Sequence, residues 1–187
     1  MTDAPQIQLK RPGQTVATSS QPKFRHVDLL GDDERAAWSG LLHAYSSLVR
    51  QLDDELRRAH GLPLSSFEVL AQLFLADGHR LRMAELADRL VFTRSGVTRL
   101  VDRLERQGFV TRCDAEHDGR GTYAVLTGRG FDLFEEGAST HVEGLRRLFF
   151  DKLGSDELEQ LNRIWQRLDP DSCRKREQRL RSAARDD

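Results

Sequence analysis

A helix expected over Thr93 to Gln107 has two unlike faces. Val97, Leu100, Val101 and Leu104 recur at three- and four-residue steps and commit one side to a core. The opposite side offers Arg94, Ser95, Thr98 and Arg99, with Arg103 one turn later. Arginine pairs bidentately with guanine O6 and N7, serine and threonine bond either base type, and a helix N-terminus favours phosphate. These residue types in this pattern suit the reading of base edges; a solvated helical face is the plainer account. Gly96 sits among them, where a missing side chain would let a DNA backbone approach closely or would simply be a tolerated irregularity. Further along, Asp118-Gly119-Arg120-Gly121 forms a turn whose tip presents one guanidinium. An arginine held there suits the negative potential of a narrow minor groove, with Asp118 orienting it, although the same tetrapeptide is also an ordinary hairpin device.

Other chemistries find no support. There is no P-loop, GxSxG, HExxH or EF-hand pattern, and the Gly-Arg-Gly triplets at 119–121 and 128–130 lack the third glycine of a dinucleotide fingerprint. The two cysteines, Cys113 and Cys173, have no CxxC or Cys/His spacing. No catalytic residue, metal or cofactor is therefore expected.

The elements that must position the arginines follow from periodicity. Trp38, Leu41, Leu42, Tyr45, Leu48, Val49, Leu52 and Leu56 mark a long amphipathic helix over Glu34 to His60, stopped by Gly61 and Pro63. Ser65 and Glu68 read as a capping box for a second helix through Phe67, Val69, Leu70, Leu73 and Phe74, ended by Asp77-Gly78. A short helix over Met83 to Leu90, the tripeptide Val91-Phe92-Thr93 and the two-faced helix come next, with a stop at Gly108. Phe109 to Cys113 and Thr122 to Leu126 are β-prone around a glycine turn, a two-stranded hairpin. Thr127-Gly128 opens a helix whose apolar face runs from Phe131 to Phe149. After Gly154-Ser155 a last helix carries Leu158, Leu161, Trp165 and Leu168. A helix-turn-helix directly before a hairpin is a winged helix, so the fold class is mainly α with a small β-hairpin wing.

The chain has 187 residues, 38% hydrophobic and 32% charged, which fits one domain with tails. No apolar run is long enough to span a membrane and no secretion signal is visible, so a cytoplasmic protein is expected. The formal charge of −1 hides an uneven distribution. Met1 to His26 and Arg174 to Asp187 each carry +3, which leaves the body at −7. Within that body, eight arginines against four acids give His79 to Arg112 a charge of +4. A basic island in an acidic body favours a polyanion at one face and repels it elsewhere.

Ser66-Phe67-Glu68-Val69-Leu70, Met83-Ala84-Glu85-Leu86-Ala87, the run Ser95 to Val110, Asp118-Gly119-Arg120 and Leu126-Thr127-Gly128-Arg129-Gly130 together resemble the MarR family of bacterial transcriptional regulators, over about Glu34 to Leu168. The resemblance implies an intertwined helical homodimer that reads a pseudo-palindromic operator in double-stranded DNA, a repressor's mode of action. Arg94, Ser95, Thr98 and Arg99 would enter the major groove, and Arg120 with Asp118 would anchor the wing in the minor groove. The implied organisation is a mobile arm (1–32), a first dimerisation helix (33–62), a winged-helix lobe (63–127), C-terminal dimerisation helices (128–170) and a basic tail (171–187). The resemblance also implies a ligand crevice. Trp38, His43, Tyr45, Phe67 and Phe74 lie on the helices that would border it and suit a small aromatic or phenolic ligand, although aromatic positions at helical spacing equally serve a core or a dimer interface. Arg82 stands where a Ser, Thr or Asp cap is usual. The first helix lacks the reactive cysteine of the oxidation-sensing branch. Cys113, in a strand, reads as a small buried hydrophobe, and Cys173 has no partner in sequence. The competing reading is a winged helix used for protein contact.

Overall fold

The computed structural model describes residues 29–114, 121–171 and 174. The chain forms two compact units, one ending at Leu41 and one starting at Leu42. The elements are α1 (Asp32–His60), α2 (Leu64–Phe74), β1 (Arg80–Arg82), α3 (Met83–Arg89), α4 (Arg94–Arg106), β2 (Val110–Asp114), β3 (Thr122–Leu126), α5 (Gly128–Leu148) and α6 (Ser155–Leu168). Among the described residues no helix is long and apolar enough to cross a membrane.

In the first unit, three acids, Asp32, Asp33 and Glu34, occupy the opening turn of α1, where the helix dipole favours them. The Glu34 carboxylate accepts from the Gly31 amide at 2.7 Å, so the helix starts two residues earlier than the apolar period alone predicts.

In the second unit, α1 ends where Gly61 adopts φ +63° and its amide donates to the Arg57 carbonyl at 3.0 Å, the left-handed stop that glycine takes without penalty. The expected Ser65/Glu68 capping box does not form. The helix begins two residues earlier, after Pro63, and the Leu64 amide is satisfied instead by Asp53 of α1, whose Oδ1 accepts at 2.8 Å. A tertiary acceptor has replaced the local one. Likewise α2 stops at Phe74, and Asp77-Gly78 lies in the following 3-10 turn, with Gly78 at φ +61°.

The sheet has three strands where the sequence predicts two, in the order β1-β3-β2 and antiparallel throughout. Arg80–Arg82 escapes sequence reading because it has a single apolar residue, Leu81, and acquires strand character only by pairing with β3 some forty residues away. Leu81, Val110, Ala124 and Leu126 face inward against Leu70, Leu73, Leu86, Val97, Val101 and Leu104, the centre of a core that also takes Leu52 and Leu56 of α1. Cys113 corrects another expectation. It is exposed, because Val110 faces in and the strand's two-residue period turns Cys113 outward.

Helix α5 meets α1 and α2 through glycines. A Cβ at Gly137 would press on the Phe67 ring at 3.2 Å, and one at Gly144 would sit 2.8 Å from both Leu52 and the Glu55 carboxylate. The seven-residue spacing keeps this contact on one face. Polar ties flank it: His60 Nε2 is 2.8 Å from the Thr140 hydroxyl, and Arg147 pairs with Glu55.

Candidate nucleic-acid interface

Helix α4 is built to hold one face still and leave the other open. Its N-cap is Thr93, whose Oγ1 accepts from the Gly96 amide at 3.1 Å. Its end is a Schellman stop, with Gly108 at φ +76°, Gly108 N–H bonded to the Glu105 carbonyl and Phe109 N–H to the Leu104 carbonyl. Val97, Val101 and Leu104 are fully buried. Arg94, Ser95, Thr98, Arg99 and Arg103 are all exposed, so five of the seven expected DNA-facing residues share one surface. The other two, Asp118 and Arg120, lie outside the described residues.

The exposed groups are partly oriented by their own helix. The Thr98 hydroxyl donates to the Arg94 carbonyl at 3.0 Å, which leaves its lone pairs to accept from a base. Arg99 donates through Nε to the Ser95 carbonyl at 3.3 Å, which leaves the two terminal nitrogens, the pair that matches guanine O6 and N7. Arg94 leans toward Asp88 of α3 at 3.5 Å, a loose pair between two exposed side chains. Gly96 has a local explanation. A Cβ there would lie 3.1 Å from the Thr93 hydroxyl oxygen that caps the helix, so the glycine gives the cap room.

Arg112, which enters the sequence only as a charge, ties two elements together. From β2 it reaches back to α4, with Nη2 2.6 Å from Asp102 and Nη1 2.6 Å from Glu105, whose other oxygen accepts the Arg112 amide at 3.1 Å. Strand β2 and helix α4 are thus clamped together. Arg89 pairs with Glu85, so all four acids of the basic island are engaged by three of its arginines. Excess positive charge consequently falls on residues that include Arg99, Arg103 and Arg106 of α4. Because the Arg112 network is partly exposed, Arg112→Ala is expected to cost about 1 kcal/mol. Urea unfolding should show this as a midpoint lowered by roughly 0.5 M with an unchanged slope. An unchanged midpoint would mean the clamp carries no stability.

The five candidate ligand residues divide. Trp38 is 58% exposed and belongs to the first unit. In the second unit, His43 and Tyr45 are exposed on α1, whereas Phe67 is 5% exposed and part of the core. Phe67 and Phe74 do come together, but through residues that the sequence offers only as the apolar face of α5. Phe134 of α5 stacks on both, at 5.4 and 4.4 Å between ring centres, and Phe131 and His79 complete the cluster around Phe74. His141 tilts over Phe67 at 4.7 Å. Its Nδ1 is buried without a hydrogen-bond partner, and burial pushes its pKa below the ordinary histidine value. On α2, burial pushes the Glu68 carboxyl upward. Among the described residues no group of side chains is arranged to hold a metal ion.

A helix-turn-helix whose second helix presents an exposed polar face, backed by a three-stranded wing sheet, defines a winged helix-turn-helix protein. Known proteins agree with this class. Residues 60–121 match the MarR family model. The regulator PrsX of Escherichia coli is 40% identical over 76 residues, which cover 41% of this chain and 46% of PrsX, so the chain spans about half the length of that relative. The transcriptional repressor MprA of Escherichia coli strain K12 is 28% identical over 68% of this chain and 71% of its own length. Sco3205, a MarR family regulator from Streptomyces coelicolor solved in complex with DNA, superimposes with a TM-score of 0.71 at 34% identity, covering 74% of this chain and 87% of Sco3205. The chain belongs to the MarR family, whose members are transcriptional regulators and not enzymes.

Proposed function

We propose that this protein is a homodimeric, sequence-specific DNA-binding repressor. Arg94, Ser95, Thr98, Arg99 and Arg103 read a pseudo-palindromic operator in the major groove, while Arg120, oriented by Asp118, enters the minor groove. The observation that carries the reading is α4 itself, with five exposed polar side chains opposite a fully buried apolar face. Support for the second subunit comes from α6. This 14-residue amphipathic helix buries none of its residues, and Ile164 and Leu168 stand 40% and 69% exposed. A helix with an apolar stripe left open to water is stabilised by a partner surface. The half-buried rings of Phe74, Phe131 and Phe134, packed together next to Phe67, support release of DNA by a small aromatic or phenolic ligand.

The test is selection of bound sequences from a random duplex pool, repeated with a panel of aromatic acids. The expected result is an enriched inverted repeat with half-sites one helical turn apart, two chains per duplex by light scattering, and affinity that falls steeply with salt. Failure of any duplex to be retained would favour a winged helix used for protein contact.

A further inference from the structure

We propose that Arg80 and Arg82, held against Tyr123 on the outer face of the wing sheet, form a clamp for the phosphodiester backbone beside the minor-groove contact. The proposal rests on the DNA-binding reading above and adds a surface to it. In β1 the central Leu81 is buried at 4% exposure, so the strand's alternation turns both arginines outward. Arg82 pairs in register with Tyr123, and Arg80 with Val125. Both guanidinium carbons lie 5.4 Å from the Tyr123 ring centre, and Arg82 donates through Nε to the phenol oxygen at 3.1 Å.

Three features make this a phosphate site. First, the ring contacts restrain two otherwise flexible cations, so less side-chain freedom is lost when their N–H groups meet an anion. Second, the outward positions of the sheet are Arg80, Arg82, Thr111, Cys113, Tyr123 and Val125, a set without a carboxylate. Third, the location fits. Arg82 Nη1 reaches toward Gly121, where a Cβ would lie 3.5 Å away. Gly121 directly precedes β3, so Arg82 and Tyr123 lie at the turn end of the wing sheet, the end that a bound duplex would meet. The residue choice is consistent with this. Arg82 is the N-cap of α3 and makes no side-chain cap bond, so the chain forgoes a stabilising cap and places a guanidinium on this face.

The experiment measures affinity against sodium chloride concentration for a duplex recovered by the wild-type protein from the random pool and for a scrambled duplex of equal length. Arg80→Ala and Arg82→Ala should each flatten the log–log slope by about 0.9 per subunit. Both duplexes should weaken in parallel, leaving the preference between them unchanged, and Arg80→Lys should keep the slope. Arg80 is exposed, so its variants remain informative should Arg82→Ala disturb the sheet. A wild-type slope in both Arg80→Ala and Arg80→Glu would overturn the clamp while leaving the recognition helix intact. A wild-type slope combined with lost regulation in a reporter strain would assign the patch to a protein partner and overturn it equally. Absence of any wild-type binding would remove the DNA-binding reading and the clamp with it.

Discussion

Replacing Arg94 and Arg99 together by alanine should lower affinity for the selected operator at least about a hundredfold, while the fold and the proposed dimer persist. Each bidentate arginine–guanine pair is worth about 1–3 kcal/mol of discrimination, and about 1.4 kcal/mol is a factor of ten. In the proposed dimer each residue is removed twice per operator. Both side chains are exposed, and neither contributes to the buried face of Val97, Val101 and Leu104, so far-UV circular dichroism and melting should change little. Arg99→Lys separates the two ways an arginine binds DNA. Lysine keeps the charge that a phosphate needs but loses the planar fork that a guanine needs. Affinity for scrambled duplex should hold, and the preference for operator should fall. Titrations at one fixed salt concentration decide the matter. An operator preference unchanged in both Arg99→Ala and Arg99→Lys would show that α4 does not read bases through this residue.

The exposed face of α4 is legible in the amino-acid sequence because its signals are local. Helical period tells which side of α4 faces the core, Thr93 and Gly108 mark its ends, and β-propensity finds β2 and β3. The features that escape sequence reading depend on contacts distant in the chain. β1 exists because Arg80, Leu81 and Arg82 pair with Val125, Ala124 and Tyr123, and three residues carry too little pattern of their own. The Ser65/Glu68 box gives way to Asp53, which lies eleven residues before the amide it caps. Arg112 enters a charge count, but summation cannot say that Asp102 and Glu105 neutralise it from another element. Cys113 is the instructive error, since the two-residue period from Val110 already places it outside. Phe67, by contrast, is chemically suited both to a ligand and to a core, and only its packing against Phe134 and Gly137 reveals its place in the core.

The triplet Gly128-Arg129-Gly130, silent as a nucleotide motif, contains the second large effect: Gly130→Ala should destabilise the protein by roughly 3 kcal/mol or more, while Gly128→Ala should not. A methyl at Gly130 would overlap the Phe109 carbonyl oxygen and lie 2.9 Å from Leu126 Cδ1. The carbonyl cannot yield cheaply. It accepts the Thr127 amide at 3.1 Å, while the Thr127 hydroxyl donates to the Gly108 carbonyl at 2.8 Å and accepts the Gly130 amide at 3.1 Å. This knot joins the end of the recognition helix, the last wing strand and the start of α5, so relief of the clash would displace all three. At roughly 2–4 °C per kcal/mol for a chain of this size, melting should fall by about 6–12 °C. At Gly128, on the same helical turn, a Cβ meets nothing within 4 Å, so alanine should be neutral or gain up to about 1 kcal/mol by restricting the unfolded chain. Thermal unfolding followed by circular dichroism compares the two directly. A Gly130→Ala protein melting within about 2 °C of wild type would mean that α5 can slide on the wing, and that the close approach at Phe109 does not position the recognition helix.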